Sequence, residues 1–333
     1  MRRTVDALVA LVFFAIALVV LLSAGAPQVP SPEQRALDFL SVQVPRWPVE
    51  NGCFSCHNNG DAARALYTAV SMALPVKSEV LLDTTDWLRQ PDTWDDNALG
   101  LEFSDQRLAR IQIGSALVSA VDAGLILDPA PLSEAAGMIA ADQREDGSWR
   151  LDSSGSIGSP TTYGTALATW VALRTLARSE RPDLAPSIER GKRWLHDLKV
   201  KTVLDAAAVV LALGTSGEAA SVGQRVACLD IIVRGRSVSG GWGAYLTSPT
   251  ETFDTAVVVL ALASLLDEPS LASPSLDREK LEQLIAEGRA FLLNQQLEDG
   301  SWIETTRPPG QQSYAQYVST TGWATLALLA TSL

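Results

Sequence analysis

The sequence predicts an all-α fold, an α/α toroid of six helical hairpins (an α6/α6 barrel), and three observations predict it. The motif Gln-x-x-Asp-Gly-Ser-Trp occurs twice, at 143–149 and 296–302. Each copy is followed by a mostly apolar stretch, 161–170 and 319–329. Hydrophobic residues make up 47% of the chain but aromatics only 6%, because Ala, Leu and Val dominate, a composition suited to closely packed helices. In each motif a helix ends, Gly takes a positive φ without a Cβ clash in the Asp-Gly turn, and Trp supplies a large apolar plug.

Taken in order, the first hairpin opens with 36–40, then Gln43 and Trp47, and continues through 53–74. In the second, Gln90, Pro91, Asp92, Thr93 and Trp94 stand in for the motif ahead of 108–123, and the third carries the motif at 143–149. The fourth lacks the turn Trp and runs from 190–198 into 203–211. The fifth replaces the turn by Ser239, Gly240, Gly241 and Trp242 ahead of 253–260, and the sixth has the full motif at 296–302. The period, roughly 45–60 residues, is close to that of repeat arrays. In the clear hairpins the first helix is polar, as in 278–296 with Lys280, Glu282, Glu287 and Arg289, and the second is apolar, as in 253–266. A helix apolar on nearly every face must be surrounded by others, so the polar helices form an outer wall and the apolar ones an inner wall.

Three segments divide the chain. Residues 1–26, with Arg2 and Arg3 before the apolar run 7–22 and Ala24, Gly25 and Ala26 after it, read as a signal peptide or an N-terminal membrane anchor. Residues 27–34, with Pro27, Pro30 and Pro32, read as a linker, and 35–333 as the toroid. The domain is therefore expected in the periplasm or another extracytoplasmic space, with membrane association if the first segment is retained. A formal net charge of −12 with no basic stripe argues against nucleic acid as a partner.

The Gln-x-x-Asp-Gly-Ser-Trp turn ahead of an inner helix that opens with Thr resembles the repeat of the squalene-hopene cyclase and protein prenyltransferase superfamily, whose fold is an α/α toroid. The resemblance covers roughly 35–333. It implies that the motif ties the outer helices together, that reactive side chains line a cavity at the inner-helix ends, and that an isoprenoid or other apolar small molecule binds there. It also implies what an active relative contains. The cyclases protonate an alkene with an Asp-x-Asp-Asp motif, and the nearest text here, Asp92 to Asp96, has the wrong spacing and lies in a turn. The prenyltransferases hold zinc with Asp, Cys and His from late repeats, and no histidine follows His196.

Cys53, Cys56 and His57 form Cys-x-x-Cys-His, the attachment pattern of haem c, in which two thiols form thioethers with the porphyrin and the histidine becomes the iron ligand. Export agrees with it, since such haems are attached outside the cytoplasm. A disulfide or redox-active thiol pair and a zinc site are the other readings, the last lacking a clear fourth ligand. Met72, fifteen residues on, lies roughly 20 Å away along a continuous helix, and Met138 and His196 fall in outer helices, so no sixth iron ligand is evident. A five-coordinate iron favours ligand binding or catalysis over electron transfer to a partner protein. The third cysteine, Cys228, reads as a small buried hydrophobe.

Asp205 and Asp254 precede apolar runs, so burial could hold either carboxyl protonated as a catalytic acid. Asp105, Arg107, Thr161, Thr162, Tyr163, Thr320 and Thr321 also lie near inner-helix starts, where Asp and Thr equally serve as caps. The leading expectation is a haem-bearing redox or ligand-binding protein. The alternatives are a cyclase or prenyl-group enzyme using Asp254 or Asp205, and a toroid that binds a lipid or a protein without chemistry.

Overall fold

The computed structural model describes residues 30–96, 105–151, 159–213, 219–268, 273 and 275–332. The segment expected as a signal or anchor, 1–26, lies outside the described residues. Among the described residues no helix is long and apolar enough to cross a membrane. Pro32–Leu333 forms one compact unit.

The outer helices are α1 (Pro32–Asn51), α3 (Leu82–Leu88), α5 (Ala130–Ala141), α7 (Ala185–Asp197), α9 (Ala219–Gly235) and α11 (Arg278–Gln295). The inner helices are α2 (Ala63–Ser71), α4 (Gln106–Asp122), α6 (Ser159–Arg178), α8 (Val203–Leu213), α10 (Thr252–Ala263) and α12 (Tyr314–Ala330). α1 starts inside the stretch expected as a linker, because proline is accommodated in the first turn of a helix. Consecutive inner helices pack side by side, and α12 packs against α2, so the inner wall is a closed ring. The apolar helices α8 and α10 are buried along most of their length, as a double wall requires.

The turn motif is a clasp between neighbouring repeats. Gln143 donates from Nε2 to Gly147 O of its own turn at 2.9 Å and to Ser187 O of α7 at 2.8 Å, and Arg190 of α7 donates back to Gln143 Oε1 at 2.7 Å. Gln296 repeats this with Gly300 O at 3.0 Å and Pro32 O at 2.8 Å, and Arg35 donates to its Oε1. Because Pro32 and Arg35 belong to α1, the sixth clasp joins the last repeat to the first.

The tryptophan of each clasp is held at both ends. Trp149, Trp242 and Trp302 donate from Nε1 to the carbonyls of Ile139, Ile232 and Leu292 at 2.6, 2.8 and 2.7 Å. Their backbone N–H groups donate to the hydroxyls of Thr169, Thr255 and Thr321 at 3.1, 2.9 and 3.3 Å. In the third repeat the partner of the tryptophan is Thr169, well inside α6. Gly164, at φ 73°, interrupts α6.

Gly300 has φ +91°, and a Cβ there would lie 2.2 Å from Arg35 O of α1. Gly124 also has a positive φ, +72°, but open space around its Cα. Gly124→Ala is therefore expected to cost about 1 kcal/mol, the strain of a left-handed residue. Gly300→Ala should cost at least about 2 kcal/mol, because strain and clash add. Equal losses in urea unfolding would mean that the contact with α1 does not matter.

Candidate functional site

Cys-x-x-Cys-His leads into the first inner helix. Ser55 accepts from the Asn58 N–H and caps a single wide turn, Cys56–Ala62, in which Gly60 N reaches back five residues to Ser55 O at 3.2 Å. Such π turns recur at functional sites. Two buried asparagines brace it. Asn58 donates to Gln43 O at 2.7 Å and Tyr314 Oη at 3.0 Å, and Asn59 to Thr84 Oγ1 at 2.8 Å, while Asn59 Oδ1 accepts from Ser55 N at 3.0 Å. The motif is thereby fixed to α1, α3 and α12.

Cys53 and Cys56 are free, half-buried thiols. Burial, with the nearby Asp61 adding to it, pushes the Cys56 thiol up to about 12. Burial lowers His57 to about 4, so its imidazole is neutral around pH 7. His57 Nδ1 lies 4.0 Å from Cys56 Sγ, and among the described residues its buried Nε2 has no hydrogen-bond partner. Trp47 and Tyr314 stack on each other and meet the imidazole edge-on, with ring centres 4.8 and 5.8 Å from it. Phe54 stacks on Trp87 at 4.6 Å. Among the described residues no three of His, Cys, Asp and Glu converge in a group that could hold a metal ion.

One turn past His57, Asp61 forms a polar centre that sequence reasoning missed. Its carboxyl is 1% exposed. It accepts from Tyr163 Oη at 2.8 Å, from Gln112 Nε2 at 2.6 Å and from Ser319 Oγ. These donors come from α6, α4 and α12. Burial raises the Asp61 pKa, and the three donors and Arg64 work against that rise. A Cβ on Gly322 of α12 would lie 2.8 Å from Asp61 O, so only glycine allows this approach. The Tyr163 ring meets Phe253 and Trp323 at 5.8 and 5.6 Å, and Trp323 meets Trp170 at 6.4 Å. Aromatic rings therefore bridge the ring interior between α6, α10 and α12.

The residues expected from sequence separate into distinct places. Asp254, buried in the first turn of α10, caps nothing: Nη2 of Arg307 reaches both its oxygens at 2.5 and 2.6 Å, and Arg307 Nη1 donates to Thr162 O at 2.7 Å. Asp205, half-buried in α8, has its pKa raised by burial, and Thr202 receives its N–H at 2.9 Å. Neither lies in the Cys53–His57 turn. Asp105 caps α4 through Leu108 N at 3.0 Å, and Arg107 binds Arg150 O. Thr320 accepts from Thr305 N, and Thr321 serves the clasp, so both are structural. The side chain of Thr161 lies outside the described residues, and Cys228 is buried as expected.

No family model matches the chain, and no curated relative does. Solved structures do. A variant of the type II terpene cyclase MstE from Scytonema, in complex with geranylgeranyl dihydroxybenzoate, matches with a TM-score of 0.56 at 15% identity, over 90% of this chain and 97% of that one. The chain has the fold of the type II terpene cyclases. ent-Copalyl diphosphate synthase from Streptomyces platensis matches at TM-score 0.50 and 19% identity, over 80% of this chain and 50% of that one. The terpene-cyclase fold does not by itself fix a chemistry, since a possible member of the GH105 family from Salmonella enterica matches this chain at TM-score 0.55 and 10% identity, over 93% and 96% of the two chains. Within this terpene-cyclase-like ring, the first repeat joins the Cys-x-x-Cys-His turn to the Asp61 centre on one short segment.

Proposed function

We propose that the first hairpin carries a c-type haem, joined by thioethers to Cys53 and Cys56 with His57 as the iron ligand, and that the chain is an exported redox or ligand-binding protein. The observation that carries the reading is His57 Nε2, a buried nitrogen without a partner among the described residues, in a Cys-x-x-Cys-His segment whose two thiols are free. Burying such a group unpaired costs about 1–3 kcal/mol, and bonding to iron removes that cost. The shift of His57 to about 4 keeps its lone pair available to a metal at neutral pH. Trp47 and Tyr314 shield the imidazole from water, and Asn58 and Asn59 hold the turn that begins at Cys56. When bound, the haem supplies reversible one-electron transfer or an iron site for a small ligand.

The rival readings fit less well. A redox-active pair needs a thiolate with a lowered pKa, whereas the Cys56 thiol is pushed up. Zinc needs four converging donors, and this turn offers no such group. The test is export from a host that matures c-type cytochromes, followed by a pyridine haemochrome spectrum. The expected result is a Soret band that survives denaturation and disappears in the Cys53→Ala/Cys56→Ala variant. Colourless protein from a competent host would overturn the reading.

A further inference from the structure

Among the described residues, two arginines of the inner helices have no carboxylate within ion-pair distance, although Asp61 and Asp122 act on them from further away. Arg64 of α2 is 5% exposed, its Nη1 is buried without a partner, and its guanidinium carbon lies 4.7 Å from the Trp323 ring centre and 5.9 Å from that of Trp170. Arg174 of α6, partly buried, flanks the same Trp170 ring at 5.4 Å. Among the described residues neither guanidinium makes an ion pair or a side-chain hydrogen bond. Asp61, in the turn just before α2, accepts its hydrogen bonds from Tyr163, Gln112 and Ser319 instead. Asp122, on the facing part of α4, is paired with Arg178. Burial, and then Arg64, lower Arg174 to about 10. Buried charges in proteins are normally paired, because the desolvation cost is otherwise uncompensated. The cation–π contacts with two indoles offset only part of that cost, about 1–2 kcal/mol each.

We infer that Arg64 and Arg174 form a binding site for an oxyanion, a carboxylate or a phosphate group, inside the ring beside Trp170 and Trp323. Arginine suits the task, since its fork of donors matches either group. The oxyanion is either a free ion or the head of an amphiphile whose apolar part lies along the indoles. This site is separate from the Cys53–His57 turn and does not depend on haem.

The test is calorimetric titration of the full chain with inorganic phosphate, with dodecyl phosphate and with dodecanoate, each repeated on Arg174→Met. The expected result is binding of at least one probe, weakened about tenfold or more in Arg174→Met. Binding of inorganic phosphate would identify a free-ion site, and binding of only the dodecyl compounds an amphiphile site. A second readout needs no ligand. If Arg174 is held for a ligand, removing its unpaired charge should leave the unliganded melting temperature unchanged or raise it, whereas a purely structural arginine would lower it on removal. Binding of none of the three probes, or unchanged affinity in Arg174→Met, would overturn the inference, and so would a lowered melting temperature.

Discussion

Trp302→Ala is expected to lower the unfolding free energy by about 3–5 kcal/mol, the range for deleting a buried tryptophan. Trp302 is fully buried, and its removal also leaves the Leu292 carbonyl without its donor, while the backbone N–H that reaches Thr321 is retained. Trp302→Phe separates the two contributions. It keeps most of the apolar contact but loses the N–H, so it should cost about 1–3 kcal/mol, the penalty of one unsatisfied buried carbonyl. Equilibrium urea unfolding measures both. A loss below about 1 kcal/mol in the alanine variant would mean that the clasp does not hold the repeat together.

Arg307→Met should be comparably damaging, about 3–5 kcal/mol at neutral pH, because it strands the Asp254 carboxylate in a site with no exposure. The effect depends on pH in a definite direction. Without Arg307, burial alone acts on Asp254 and raises its folded pKa further above the unfolded value. A group with a raised folded pKa stabilises fully below its unfolded pKa, and that contribution is lost as pH rises through the folded pKa. The variant should therefore lose stability on going from about pH 4 upward, more steeply than the parent. Adding Asp254→Leu should restore much of the loss, since replacing both members of a buried pair is often neutral. A single variant with a flat pH profile would show that Asp254 is not desolvated.

The clasp was legible because its partners are local in the repeat. The Gln and Gly of the motif and the indole of its Trp bond within ten residues or to the start of the next outer helix, so the pattern repeats wherever the sequence does. The Asp61 centre was not legible, because its donors stand 51, 102 and 258 residues away and meet only when the ring closes. One signal was available: Asn58, Asn59 and Asp61 stand together just ahead of an inner helix, and such residues need partners when buried. Asp254 was read as a cap or an acid because its neighbours in sequence are apolar, while its partner Arg307 lies on a loop 53 residues later. The stretch 161–170 reads as one inner helix from its apolar pattern, but Gly164 interrupts it with a positive φ.

The bond from Gln296 to Pro32 changes how the array can come apart. In an open solenoid the terminal repeat has a single neighbour, and unfolding begins there and propagates inward. Here every hairpin has two neighbours, so losing any one of them breaks two interfaces at once. Partial unfolding thus has no inexpensive first step, and the ring should behave as a single cooperative unit rather than as a chain of separable ones.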